Sequence, residues 1–228
     1  MFKNSMLIFI AIIPITLLLK YVFDKDKIEK EPFPLLIKLF ITGIFSAALV
    51  LLLTKGLKLL IPINNGVYTS FVEVGFLEEI SKWICVYLIT WKNKEFDYKF
   101  DAIVYCIFVS LGFALIENIG YSITYGVTTC LLRAIISVPG HAFFAIYMGY
   151  YLGMAKMAYT NYENSTGSTY TMYSILVPTF LHGIYNYCLL GENDGFYIFF
   201  IIFIISLYIL SFKTVNTSSN MDVAFHTK

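Results

Sequence analysis

Long apolar runs recur along this chain, and the polar breaks between them are too short to hold a soluble domain. A run of roughly 18 or more apolar residues is long enough to cross the hydrocarbon core as a helix. Such runs cover about 6–23, 34–53, 68–90, 101–125, 129–159, 170–190 and 196–212. The pattern predicts an all-α, polytopic membrane helix bundle of about seven transmembrane helices. Residues 1–212 would form one transmembrane domain, and 213–228 a short, disordered polar C-terminal tail. Composition agrees: 58% of residues are apolar and 14% charged, against roughly 45–50% and 25% in soluble domains. Lys+Arg 16 against Asp+Glu 15 leaves no basic surplus for a nucleic acid. The partners expected are membrane lipid and no nucleic acid.

Details of the runs carry further expectations. The first has only Lys3 ahead of it and no small-x-small site before Asp24, so it reads as a retained span rather than a cleaved leader. The fifth is expected to break at Pro139-Gly140. Cys85, Cys106, Cys130 and Cys188 fall within spans without CxxC spacing and read as packing residues. Lysines are unequally divided between the two sides. Lys20, Lys25, Lys27, Lys30, Lys92, Lys94, Lys99, Lys156, Lys213 and Lys228 share one side; Lys3, Lys55 and Lys58, with the Glu192/Asp194 turn, share the other. The lysine-rich side is expected to be cytoplasmic, which puts the N-terminus outside and the C-terminus inside.

The charges within the spans are the informative minority, because an ionisable group in mid-bilayer is costly and usually functional. The third span carries Glu73, Glu78, Glu79 and Lys82. The fourth carries Glu117 and Asn118, the fifth Arg133 and His141, the sixth His182 and Asn186. Lys82 is within reach of Glu78 (i,i+4) and Glu79 (i,i+3). Adjacent glutamates point about 100° apart on a helix, so one can be held by Lys82 while the other faces a cavity. Counting residues from the outer span ends puts Glu78/Glu79, Glu117, His141 and His182 at roughly 12–18 Å depth, at about 1.5 Å per residue. Glu73 lies nearer the outer end and reads as a packing charge; His226, in the tail, reads as uninvolved. Arg133, near the outer end, reads equally well as a snorkelling residue.

Two carboxylates and two imidazoles at one depth suit hydrolysis by either of two routes. Two His and a Glu can hold zinc with a position left for water. Alternatively a glutamate takes a proton from water, and His or Asn groups hold the oxyanion. Both remain open. There is no His-Glu-x-x-His, Gly-x-Ser-Gly or Gly-x-Gly-Asp, so the other intramembrane protease designs are not expected. A proton- or ion-coupled transporter would use the same buried carboxylates, but neither repeats nor paired broken helices are evident.

Glu78-Glu79-x-x-Lys82, Phe113-x-x-x-Glu117-Asn118, Gly140-His141 and His182-Gly-x-x-Asn186, in this order on successive spans, resemble the PrsW intramembrane proteases. The resemblance covers about 1–212. The wider superfamily, with its CAAX-processing and bacteriocin-immunity-type proteases, typically has Glu-Glu-x-x-x-Arg in the first motif; here the basic residue is Lys82, one position earlier. The resemblance implies site-1 cleavage of a membrane-spanning anti-sigma factor, freeing an extracytoplasmic-function sigma factor under envelope or antimicrobial-peptide stress. It assigns catalysis to Glu78, Glu79 and His182, with Glu117 and His141 as further site residues. Lys82, Asn118, Asn186 and Arg133 would support them. If zinc is the cofactor, His141, His182 and Glu79 are its expected ligands.

Overall fold

A computed structural model describes residues 2–191 and 193–225, with residues 2–7 as backbone only. The charges of Lys3, Glu192 and Lys228, and His226, lie outside these described side chains. Among the described residues, nine α-helices and one π segment make up the helical structure: α1 (Phe2–Lys25), α2 (Phe33–Leu60), α3 (Gly66–Tyr68), the π segment (Thr69–Phe76), α4 (Leu77–Thr90), α5 (Asp101–Tyr125), α6 (Val127–Ile135), α7 (Ser137–Thr160), α8 (Asn164–Leu189) and α9 (Asp194–Asn220). Because α3, the π segment and α4 run on as one rod, and α6 and α7 as another, the chain makes seven passes. Among the described residues, four segments are long and apolar enough to cross a membrane on length and composition alone: 33–60, 101–125, 127–160 and 194–220. Lipid-facing surface is supplied by side chains such as Phe45, Leu52 and Ile202, which remain exposed.

α5 is the central helix. Its residues Ala102–Cys106, Val109, Leu111 and Phe113 are buried against α2, α7 and α1. Contact between α2 and α5 is backbone to backbone: a Cβ on Gly112 would lie 2.1 Å from the Phe40 carbonyl oxygen, so only glycine allows this crossing. The rod that carries the two adjacent glutamates starts at Asn65, whose side chain caps the helix by accepting from the Val67 and Tyr68 N–H groups at 2.9 and 3.2 Å. Its π segment has wider turns, which shift the helical phase before α4 begins. Glu78, Glu79, Ser81 and Lys82 then all lie on buried positions. The π segment packs tightly on α8: a Cβ on Gly183 would fall 2.2 Å from the Phe71 ring.

Two expectations are corrected here. The fifth pass breaks at Ile136, between α6 and α7, and not at Pro139-Gly140. Proline at the third position of α7 lacks only an N–H that the first helical turn leaves unpaired, so it starts this helix rather than breaking one. Nor does order end at Lys213. α9 continues to Asn220, and the chain beyond it docks on the α4–α5 loop. There the Phe225 N–H donates to the Asp97 carbonyl at 2.8 Å, and the Asp222 carboxylate accepts from the Phe100 N–H at 2.8 Å. Amphipathic contact holds this polar stretch: Val215 and Ser219 are buried, and Lys25 donates to Asn216. These contacts put the C-terminal end of α9 beside the C-terminal end of α1, opposite the start of α1.

Candidate active site

The buried charges of four helices meet in one network. Glu79, fully buried, accepts from two sides through Oε1: Lys82 Nζ at 2.8 Å and His182 Nδ1 at 2.8 Å. His141 bridges the other half. Its Nε2 lies 2.7 Å from Glu117 Oε2, and its Nδ1 3.3 Å from Lys82 Nζ. Arg133 reaches Glu117 Oε1 at 3.1 Å and lies over the Tyr121 ring, 4.2 Å from its centroid. α4, α5, the α6–α7 rod and α8 thus each contribute one station.

Glu78 is the exception. Its closest charged neighbours are Lys82 Nζ at 3.5 Å and His182 Nε2 at 4.0 Å. It lines an inner cavity of about 210 Å³ with Glu117, Arg133, His141, His182 and Asn186. The two adjacent glutamates therefore divide their labour as their helical phase requires: Glu79 is held by Lys82 and His182, and Glu78 faces open space. With Nδ1–H donated to Glu79, the His182 ring turns its Nε2 lone pair toward Glu78. A carboxylate on the far nitrogen is the usual way to fix the tautomer of a working imidazole.

Several positioning residues carry no charge and escape a search for charges. Phe144 stacks on the His182 ring at 4.7 Å between centroids, and the Phe113 ring receives Lys82 Nζ at 4.2 Å. Ser110 donates to the His141 carbonyl at 2.9 Å, tying α7 to α5 at this level. The only sequence hint of Phe144 is its place three residues after His141, on the same helix face.

Of the supporting residues, Asn186 lines the cavity and donates to the His182 carbonyl at 3.1 Å. Asn118 is fully buried but lines neither the inner cavity nor the groove described below, and neither atom of its amide has a hydrogen-bond partner among the described residues. Glu73 is buried in the π segment and pairs with Lys58 at 3.4 Å, away from the network. None of the four cysteines forms a disulfide among the described residues.

The donor set fits a metal ion. Glu78, Glu79, His141 and His182 each offer one ligand atom, all within 4.8 Å of one another and all buried. Imidazole and carboxylate are the donors that zinc takes in catalytic sites. This set adds Glu78 to the expected His141, His182 and Glu79. Lys82 shares three of the same donors, so a metal would compete with its ammonium group.

Comparison with known proteins agrees with this chemistry. The family model described as "PrsW family intramembrane metalloprotease" matches residues 31–210. "Protease PrsW" of Oceanobacillus iheyensis is 37% identical over 214 residues, 92% of this chain and 97% of that protein. The protein of the same name from Clostridioides difficile is 34% identical, over 89% of this chain and 87% of its own length. That from Bacillus subtilis is 32% identical, over 82% and 84%. No solved structure matches the chain. The chain therefore belongs to the PrsW family of intramembrane metalloproteases, and its buried carboxylate–imidazole network sits in a membrane-embedded peptidase.

Proposed function

We propose that this peptidase makes the first, site-1 cut in a membrane-spanning anti-sigma factor, releasing an extracytoplasmic-function sigma factor under envelope or antimicrobial-peptide stress. The observation that supports this reading is the position of Glu78: a buried carboxylate that Lys82 reaches only at 3.5 Å, lining a polar cavity with two imidazoles and Arg133. Glu78 takes the proton of the attacking water and passes it to the leaving amine. Glu79 holds His182 in its tautomer, and Glu117 does the same for His141. Arg133, which lines the cavity, is placed to stabilise negative charge developing on the scissile carbonyl oxygen. If zinc is bound, His141, His182 and Glu79 would hold it, leaving Glu78 as the base, and it would polarise the carbonyl and acidify the water. The N-terminus lies outside and the C-terminus inside, which places this network in the outer half of the bilayer; the lysine distribution supports that orientation.

The test is cleavage of a co-expressed anti-sigma factor by Glu78→Gln, Glu79→Gln and His182→Ala, at matched protein levels. Each should abolish the cut, and full activity in all three would overturn the site. Metal content of the purified protein, together with activity after chelation, decides between the two hydrolytic routes. A fully active, metal-free enzyme would exclude zinc.

A further inference from the structure

A second opening leads to the same carboxylates. α2 and α5 touch where Gly43 and Gly112 meet the opposite backbone, and toward the α5 C-terminal end they part. The V-shaped groove between them holds about 450 Å³, and its floor is Glu78 and Glu117. Its walls are apolar, Val50 and Leu51 on α2 facing Ile116 on α5. Leu51 is 63% and Ile116 39% exposed, so the groove opens sideways, on the face that the hydrocarbon core would cover. Glu78, Glu117 and Tyr121 line both this groove and the inner cavity, so the two spaces adjoin at the site.

We infer that this groove is the lateral port of the enzyme, and that its occupant is a locally unwound segment of a single-span membrane peptide. Size carries the second half of the inference. One turn of an α-helix about 10 Å across and 5.4 Å high sweeps about 420 Å³, so the groove holds roughly one turn's worth of peptide. A few extended residues fill such a groove, whereas an intact helix of several turns would stand largely outside it. Unwinding also frees the scissile carbonyl, which an intact helix keeps in its own hydrogen bond. Apolar walls accept the side chains of such a segment, and its exposed N–H groups meet the two carboxylates of the floor. This inference rests on the proposed protease site, but not on which protein is the substrate.

Gly120 gives the test its variant. It lines the groove, and a Cβ there would meet nothing within 4 Å, so a side chain can be introduced at this position to add bulk to the groove. Gly56, equally open but outside the groove, is the control for bulk. The probe is a biotinylated single-span peptide with a central Gly-Pro-Gly break, in phosphatidylethanolamine–phosphatidylglycerol liposomes. A photo-crosslinking amino acid is placed at Leu51, or at lipid-facing Leu88 on α4, in the Glu78→Gln protein. Crosslinking from Leu51 should exceed that from Leu88, and Gly120→Trp but not Gly56→Trp should cut it about tenfold, as expected when added bulk excludes a ligand. An unbroken polyleucine peptide should crosslink poorly at Leu51. Equal yields at the two positions, no crosslink at Leu51, or indifference to Gly120→Trp would overturn the port. Cleavage of the anti-sigma factor separates this from the proposed function. If it is cut equally well by Gly120→Trp, only the port fails; if it is never cut while the groove still crosslinks the peptide, only the substrate assignment fails.

Discussion

Lys82 and Glu79 form an ion pair with no water contact, and its energetics can be worked from the structure. Their charged atoms are 2.8 Å apart and both side chains are 0% exposed. At an effective dielectric constant of about 20, the gross attraction is about 6 kcal/mol. Most of that offsets the desolvation of the two ions, so the pair contributes little net stability against an apolar replacement. Removing one partner is different, because it strands the other. Lys82→Met leaves Glu79 with only His182, and Glu79→Gln leaves Lys82 with Glu78 at 3.5 Å and His141 Nδ1 at 3.3 Å. Each single variant should lose about 3–5 kcal/mol. The double variant should lose less than the sum by about 2–4 kcal/mol, since it strands neither charge. The measurement is reversible unfolding in mixed micelles, in chelator so that no metal exchanges with Lys82. Additive losses, or single losses under about 1 kcal/mol, would refute the claim that these charges are dry and mutually dependent.

Other outcomes follow from the packing and the loops. Gly183→Ala should cost about 1–3 kcal/mol by overpacking and reduce cleavage, since the new Cβ would meet the Phe71 ring at 2.2 Å beside His182; Phe71→Leu in the same chain should restore activity. Arg133→Met should lower kcat/KM by about 100-fold through displacement of Glu117, with Arg133→Lys in between, and an unchanged value would remove Arg133 from the site. At the α1–α2 loop, burial pushes the Glu31 carboxyl up to about 7 and Asp26 up to about 6. A carboxyl raised in the folded state contributes stability that is fully present below its unfolded pKa and lost as pH rises through the folded one. The protein should therefore lose on the order of 2–3 kcal/mol between about pH 4.5 and 7. Glu31→Gln, which keeps an acceptor for the Tyr105 hydroxyl now 2.7 Å away, should flatten that slope in thermal unfolding; an unchanged slope would refute it.

Much was legible in the linear chain for a simple reason. A span must be apolar along its whole length, and an ion inside it needs a partner, so seven passes and the buried set Glu78, Glu79, Lys82, Glu117, His141 and His182 can be read without coordinates. The i,i+3 and i,i+4 spacings also put Lys82 within reach of both glutamates, as found at 2.8 and 3.5 Å. Local rules fail where tertiary contact overrides propensity. Pro139-Gly140 is a breaker in isolation, yet it sits in the first turn of α7, and the polar stretch after Lys213 stays helical because α1 and the α4–α5 loop bind it. No spacing rule announces the π segment, whose phase shift decides which way the two glutamates point.

Which glutamate is held closely and which lines the cavity, the assignment of His182 to Glu79 and His141 to Glu117, and the groove all depend on how whole helices approach. Gly75 and Gly183 let the π segment and α8 meet closely enough for a hydrogen bond between residues 103 positions apart. Gly43 and Gly112 let α2 touch α5 at one level only, leaving the space above Glu78 open. Composition and spacing determine which residues must leave lipid; the crossing geometry of helices, set by a few absent side chains, decides which atoms they then meet.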